Sequence, residues 1–97
     1  MDLHHYREQI DSIDQSLLEL FCRRMEVSAL IAEYKTLHQL PVYMPVYMPE
    51  REQEKLAAVA NMVTPEMQPY AKELFSCLFS LSKQYQKACK DAATADK

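Results

Sequence analysis

The sequence predicts an all-α fold, and three observations carry that prediction. The 97-residue chain contains no glycine, where average usage of about 7% gives roughly seven residues. Tight β-hairpin turns rely on glycine, so a β-sandwich or barrel is nearly excluded. Residues 2–39 also lack proline, and apolar side chains recur there every three or four positions, as in a packed helix. The chain is short enough to form one domain, residues 1–97.

The first predicted helix is very long and covers about residues 2–39. Asp2 suits its N-cap, and the ring and missing N–H of Pro41 require the helix to end before it. At 1.5 Å per residue this helix spans about 55 Å, which a compact monomer of this size cannot shield. We therefore expect a homodimer in which the long helices of two chains pair. The apolar series that would pack comprises Leu3, Tyr6, Ile10, Ile13, Leu17, Leu20, Val27, Ile31 and Tyr34.

A loop is predicted for residues 40–48, and it contains a tandem repeat. The unit Pro41-Val42-Tyr43-Met44 recurs as Pro45-Val46-Tyr47-Met48. Extra residues in a long connection cost little additional closure entropy. We interpret the repeat as a spacer without chemistry of its own.

Two shorter helices complete the prediction. The second covers about residues 49–62, because Pro49 suits its first position and Glu50 suits its positive end. The third covers about residues 65–91, with Thr64 as its cap and Pro65 at its first position. The small polar residues after it predict a frayed C-terminus.

The composition excludes several classes of function. The net charge of −3 argues against a nucleic-acid partner, which requires a basic surface. No apolar run reaches the roughly 20 residues that span a bilayer, and no secretory signal is visible, so no membrane partner is expected. Cys22, Cys77 and Cys89 form no C-x-x-C pair, which favours reduced, mostly buried thiols in a cytoplasmic protein. No phosphate-binding glycine motif or metal-ligand spacing occurs, and no cofactor is expected.

Two cations of the first helix lie close to its apolar series. Arg24 stands where the three-to-four-residue spacing would place the next apolar side chain after Leu20. Lys35 lies eleven residues after Arg24, within about 20° of it around the helix and about 16 Å along the axis. Ser28 and Ile31 lie between them on the same side. The pattern has two interpretations: a pocket for a small anion, or cations whose stems pack while their charges reach water.

The shorter helices add further polar residues. Arg51 and Glu52 lie in the first turn of the second helix, where backbone N–H groups are unpaired. Ser82 and Gln86 are four residues apart and share one face of the third helix. Spacing alone leaves these residues as ordinary capping and edge positions or as walls of an anion pocket.

The chain nevertheless resembles the all-helical class of chorismate mutases from about Tyr6 to Gln86. Each motif that carries the resemblance is weak singly, but four occur in order on three helices of suitable length. They are Arg7-Glu8-Gln9-Ile10-Asp11-Ser12-Ile13-Asp14, Arg23-Arg24 through Ala32-Glu33-Tyr34-Lys35, Pro49-Glu50-Arg51-Glu52, and Leu81-Ser82-Lys83-Gln84-Tyr85-Gln86.

The resemblance implies an intertwined helical homodimer that rearranges chorismate to prephenate on the route to phenylalanine and tyrosine. It implies that Arg24 and Arg7 bind the substrate's carboxylates, with Arg7 donated by the other protomer. Lys35 and Gln86 would donate hydrogen bonds to the ether oxygen whose bond breaks, and Arg51 would assist electrostatically. Lys35, Gln86, Arg24 and Arg51 are thus the expected catalytic residues.

The remaining implied contacts concern binding. Glu52 would hold the ring hydroxyl, and Ser82 would support carboxylate binding. The family often has aspartate three residues before the Arg-Glu pair, and Met48 stands at that place here. Met48 is therefore counted among the substrate-binding residues, with two alternatives: its backbone serves the contact, or the duplicated loop displaces it. The reaction is unimolecular and pericyclic, so cations that hold the reactive conformer and stabilise the ether oxygen suffice without metal or cofactor.

Two alternatives remain open. A related helical family cleaves isochorismate to salicylate and pyruvate with a similar cationic pocket, although the Ser82-to-Gln86 motif favours the mutase. The other alternative is a non-catalytic helical module for dimerisation or effector binding. Assays with both substrates distinguish all three hypotheses.

Overall fold

The computed structural model describes residues 2–39 and 48–95, and this part of the chain is built from three helices. They are α1 (Leu3–Leu37), α2 (Met48–Asn61) and α3 (Gln68–Ala95), and no strand occurs in the described ranges. The all-α prediction is confirmed. The predicted loop and its repeat lie outside the described residues, except for Met48, which begins α2.

The two ends of α1 have identifiable causes. The side chain of Asp2 accepts a hydrogen bond from the backbone N–H of His5 over 3.0 Å, so Asp2 is the N-cap. The helix ends at Leu37, two residues before the expected position, because Gln39 takes a left-handed backbone with φ 57°. Its N–H turns back to the carbonyl of Thr36 over 3.2 Å. Glycine usually occupies this position, and a side chain there costs about 1–2 kcal/mol.

The start of α3 differs from the prediction. The helix begins at Gln68 and not at Pro65, and Thr64 instead opens a turn in which its carbonyl accepts from the Met67 N–H over 2.9 Å. The reason is Pro69, which lacks the N–H that a helix beginning at Pro65 would need at its fifth residue. In the first turn of the observed helix, Pro69 loses no bond.

The end of α3 also differs. The helix extends to Ala95, beyond the expected end at about residue 91. The extension contains three alanines among residues 92–95, and alanine is the strongest helix former.

Packing centres on α3, which contacts α1 on one face and α2 on another, while α1 and α2 share no contact among the described residues. In the part of the chain whose burial is described, the buried apolar side chains are Ala32, Val59 and Ala60. Three buried residues there are polar or charged: Ser28, Lys35 and Gln86. Ser28 and Lys35 belong to α1 and Gln86 to α3, so the polar residues lie at the contact of these two helices, which we call the seam. Burial of polar groups is costly unless they have hydrogen-bond partners, so the seam requires a chemical explanation.

Most of α1 lacks apolar cover within one chain. Its N-terminal apolar series from Leu3 to Leu20 is more than half exposed at every position. The molecule measures 58 × 29 × 13 Å with a radius of gyration of 16.9 Å, against about 12–13 Å for a compact chain of this length.

Cys22 and Cys77 are exposed and Cys89 half-buried, so the expectation of mostly buried thiols is wrong for the single chain. None of the described helices has the length and apolar run of a membrane span.

Candidate active site

A chain of polar side chains crosses the seam between α1 and α3. The ammonium Nζ of Lys35 donates to Oε1 of Gln86 over 2.9 Å. Nε2 of Gln86 donates to Oγ of Ser82 over 3.3 Å, and the Oγ atoms of Ser82 and Ser28 are 2.6 Å apart. Lys35, Gln86 and Ser82, which sequence reasoning placed on two separate helices, are thus joined in one hydrogen-bonded unit.

Helical spacing explains why these residues meet. Ser28 and Lys35 are seven residues apart, which brings them to nearly the same face of α1 two turns apart. Ser82 and Gln86 are one turn apart on α3. Between the polar residues of α1 lies Ala32, only 2% exposed, whose small side chain permits close contact of the helices. Ala32, and not Ile31, is the buried apolar residue of this seam, since Ile31 is 41% exposed.

The contacts define the orientation of the Gln86 amide. A lysine ammonium has only donors, so it must face the carbonyl oxygen of the amide and not its nitrogen. The amide nitrogen therefore faces Ser82, with a second hydrogen available for a ligand. Burial also lowers the pKa of Lys35 from 10.5, because removal from water disfavours the charged form.

The predicted arginines are distributed along the molecule. Arg24 lies one turn before Ser28 on α1 and is half-buried, so its position continues the polar seam. Arg7 is exposed and 17 residues away on the same helix, which is about 25 Å along its axis. Arg51 is exposed in the first turn of α2. One chain therefore brings Arg24 to the seam and leaves Arg7 remote from it.

Glu52 lies in a different groove, between α2 and α3. Its Oε1 atom is buried and forms an ion pair with Nζ of Lys83, and both side chains are about three-quarters buried. Leu56 and Phe79 help to line the adjoining cavity of about 330 Å³. Sequence reasoning missed Lys83 because nothing in its spacing reveals which face of α3 meets α2.

Other sequence expectations concern ligands. Met48 begins α2, but its side chain lies outside the described part of the structure. Within the described ranges, no three histidine, cysteine, aspartate or glutamate side chains form a group suited to a metal ion. The bond between Ser28 and Ser82 was not foreseen, although the buried helix position of Ser28 was the available signal.

Comparison with known proteins identifies relatives along most of the chain. A family model described as chorismate mutase type II matches residues 6–87. A T-protein of Enterobacter agglomerans is 42% identical over 57 residues, which is 59% of this chain and 14% of that protein. A T-protein of Haemophilus influenzae is 28% identical over 80 residues, which is 76% of this chain and 21% of that protein. The chain thus spans about a fifth or less of these curated relatives. No solved structure gives a significant match.

Proposed function

The chain belongs to the chorismate mutase type II family, whose model matches residues 6–87, and from this membership we propose that it rearranges chorismate to prephenate. The observation that carries the proposal is the hydrogen-bonded unit of Lys35, Gln86 and Ser82, in which Lys35 and Gln86 are buried. It joins residues from two helices that have the donors needed by an anionic substrate with a breaking ether bond.

The reaction needs electrostatic help at one atom. As the ether bond breaks, negative charge accumulates on its oxygen, and preorganised donors stabilise that charge more than they stabilise the ground state. The Lys35 ammonium donates as a cation, and the second N–H of Gln86 donates as a neutral group whose direction the Lys35 contact defines. Because both groups are buried, little reorganisation is required during the reaction.

The substrate's carboxylates require further cations. Arg24 lies on the same face of α1 as Ser28 and Lys35, which supports its role at one carboxylate, with the hydroxyl of Ser82 beside it. A straight helix separates Arg7 from Arg24 by about 25 Å, farther than chorismate extends. If Arg7 binds the other carboxylate, it must come from a second chain. We therefore assign Arg7 to the site of its partner.

A homodimer is supported by the surface of α1. The apolar series from Leu3 to Leu20 is exposed over about five turns, and a soluble monomer seldom leaves so long an apolar stripe in water. Pairing of two α1 helices covers these stripes and brings Arg7 of one chain toward the seam of the other. The predicted intertwined dimer thus accounts for both the stripe and the incomplete site.

The residues of α2 have supporting roles in this proposal. In this proposal the site extends from the seam between α1 and α3 to the groove between α2 and α3, where the Glu52 carboxylate accepts the hydrogen bond of the ring hydroxyl and Lys83 restrains that carboxylate. Arg51, exposed in the first turn of α2 and next to Glu52 in the sequence, assists electrostatically. Met48 occupies the family's aspartate position without a carboxylate, so Glu52 supplies the carboxylate of the hydroxyl contact.

A direct assay tests the proposal against its alternatives. We expect the purified protein to consume chorismate and produce prephenate, and to leave isochorismate uncleaved. Release of salicylate and pyruvate from isochorismate would instead support the lyase. A folded oligomer that converts neither substrate at high protein concentration would support a non-catalytic module. A cytoplasmic location is proposed on cysteine usage and composition alone.

A further inference from the structure

Ser28 is a buried polar residue to which the proposed reaction gives no role. It is 3% exposed, and its Oγ lies 2.6 Å from Oγ of Ser82, within the ordinary range for a hydroxyl–hydroxyl hydrogen bond. Water cannot readily replace this partner, because Ser28 is buried between α1 and α3. The direction of the hydrogen bond between Ser28 and Ser82 follows from counting the hydrogens of the side chains joined to it.

The count begins at Lys35. Its ammonium occupies Oε1 of Gln86, so the amide nitrogen of Gln86 donates to Ser82 Oγ. Ser82 Oγ therefore already accepts one hydrogen bond and has one hydrogen of its own. Two groups compete for that hydrogen: the oxygen of Ser28, and any carboxylate that binds beside Ser82.

A bound carboxylate decides the competition. Carboxylate oxygens have no hydrogen to donate, so Ser82 must direct its single hydrogen toward them. The 2.6 Å contact then survives only if Ser28 donates and Ser82 accepts. If Ser82 donated to Ser28 instead, Ser82 Oγ and the carboxylate oxygen would face each other without a hydrogen between them.

On the basis of the proposed function, we infer that Ser28 is a positioning residue that donates to Ser82 Oγ and so directs the Ser82 hydrogen toward a substrate carboxylate. Polarisation along the chain from Ser28 to Ser82 strengthens the final hydrogen bond. Ser28 does not touch the substrate, so it acts through Ser82. This contact is present in the ground state and the transition state alike, and it therefore affects KM more than kcat.

The test is a double-mutant cycle on chorismate kinetics. Ser28→Ala should raise KM about threefold to tenfold with kcat nearly unchanged, which is the size of one net hydrogen bond. Ser28→Thr restores the hydroxyl and should recover most of the loss. In a Ser82→Ala background, Ser28→Ala should add less than about a twofold effect, because its target is absent. Thr36→Val is the control, since its hydroxyl on the same helix donates to the Ala32 carbonyl instead.

Each outcome has a distinct meaning. If the parent protein is active but Ser28→Ala behaves like Thr36→Val, the inference is wrong and the proposed function stands. If the effects of Ser28→Ala and Ser82→Ala multiply, Ser28 does not act through Ser82, and the inference is also wrong. A parent protein with no activity toward chorismate overturns the proposed function and this inference together.

Discussion

Lys35 and Gln86 hold each other across the seam of two helices: the ammonium on α1 donates to the amide oxygen on α3 over 2.9 Å. Both residues are buried, with exposures of 7% and 4%. The contact aligns a cation and a neutral donor side by side, and it leaves an amide hydrogen for a third partner. Two of the predictions below change one member of this pair.

Gln86→Glu should make activity depend strongly on acid pH. Gln86 is a permanent donor, whereas the introduced carboxyl donates only when protonated and repels the ether oxygen when ionised. The neighbouring Lys35 ammonium lowers the pKa of the introduced carboxyl, whereas its burial raises that pKa, so activity should be highest in acid and fall toward neutral pH as the carboxyl ionises. Profiles of kcat/KM against pH measure this effect.

The matched control for that variant is Gln15→Glu, which adds the same charge at an exposed position of α1. Its profile should follow the nearly flat profile of the parent from acid to neutral pH. A Gln86→Glu profile parallel to both would show that Gln86 does not contact the reacting oxygen.

Because its pKa is lowered, Lys35 should make activity fall and the free energy of unfolding rise as pH increases in the alkaline range. Burial lowers its pKa from 10.5, so kcat/KM should fall as pH rises through this lowered value and the donor loses its charge. Between the lowered pKa and 10.5 the unfolded chain binds more protons than the folded chain, so the Lys35 contribution to the free energy of unfolding rises with pH.

Lys35→Arg isolates these effects, because a guanidinium keeps its charge throughout the alkaline range. The activity of this variant should be lower than that of the parent but should not decline at alkaline pH. Its free energy of unfolding should not show the increase with pH that Lys35 gives the parent. Enzyme kinetics and denaturant unfolding on the same samples measure both. If parent and variant decline together, another group is responsible for the alkaline loss.

Lys83→Met should impair substrate binding through Glu52. The substitution removes the ion pair that restrains a largely buried carboxylate, so Glu52 loses its defined position against α3. We expect KM for chorismate to rise about tenfold, with a smaller change in kcat, because the ring hydroxyl is held before and during the reaction. Lys87→Met is the control on an exposed position of the same helix. Equal KM values for the two variants would separate Lys83 from substrate binding.

Features that depend on neighbours along the chain were predictable from the sequence. Asp2 caps α1 as expected because capping requires only the next few residues. Ser82 and Gln86 share a face of α3 for the same reason. The late start of α3 is also a local effect, because Pro69 lacks the N–H that a helix beginning at Pro65 needs.

Features that depend on helix packing were not predictable. The pair of Glu52 with Lys83, and that of Ser28 with Ser82, each require knowledge of which faces of two helices meet. Periodicity gives the apolar stripe of a helix but not its rotation against a particular neighbour. The resemblance to known enzymes implied candidate residues for the site without revealing their bonds to one another.

The central claim is that a complete site takes Arg24 from one chain and Arg7 from another. Arg7→Ala and Arg24→Ala should each lose most activity as homodimers, because a desolvated cation contributes several kcal/mol to transition-state binding. The measurement is chorismate mutase activity after the two variants are unfolded together and refolded in equal amounts. Random pairing makes about half the dimers mixed, and each mixed dimer has one intact site and one with both defects.

Activity should therefore rise to roughly a quarter of the parent level, far above that of either variant alone. Native mass spectrometry of the same sample verifies that mixed dimers are present. Mixed dimers with no recovery of activity would contradict the account, because the two arginines would then not share a site across the interface.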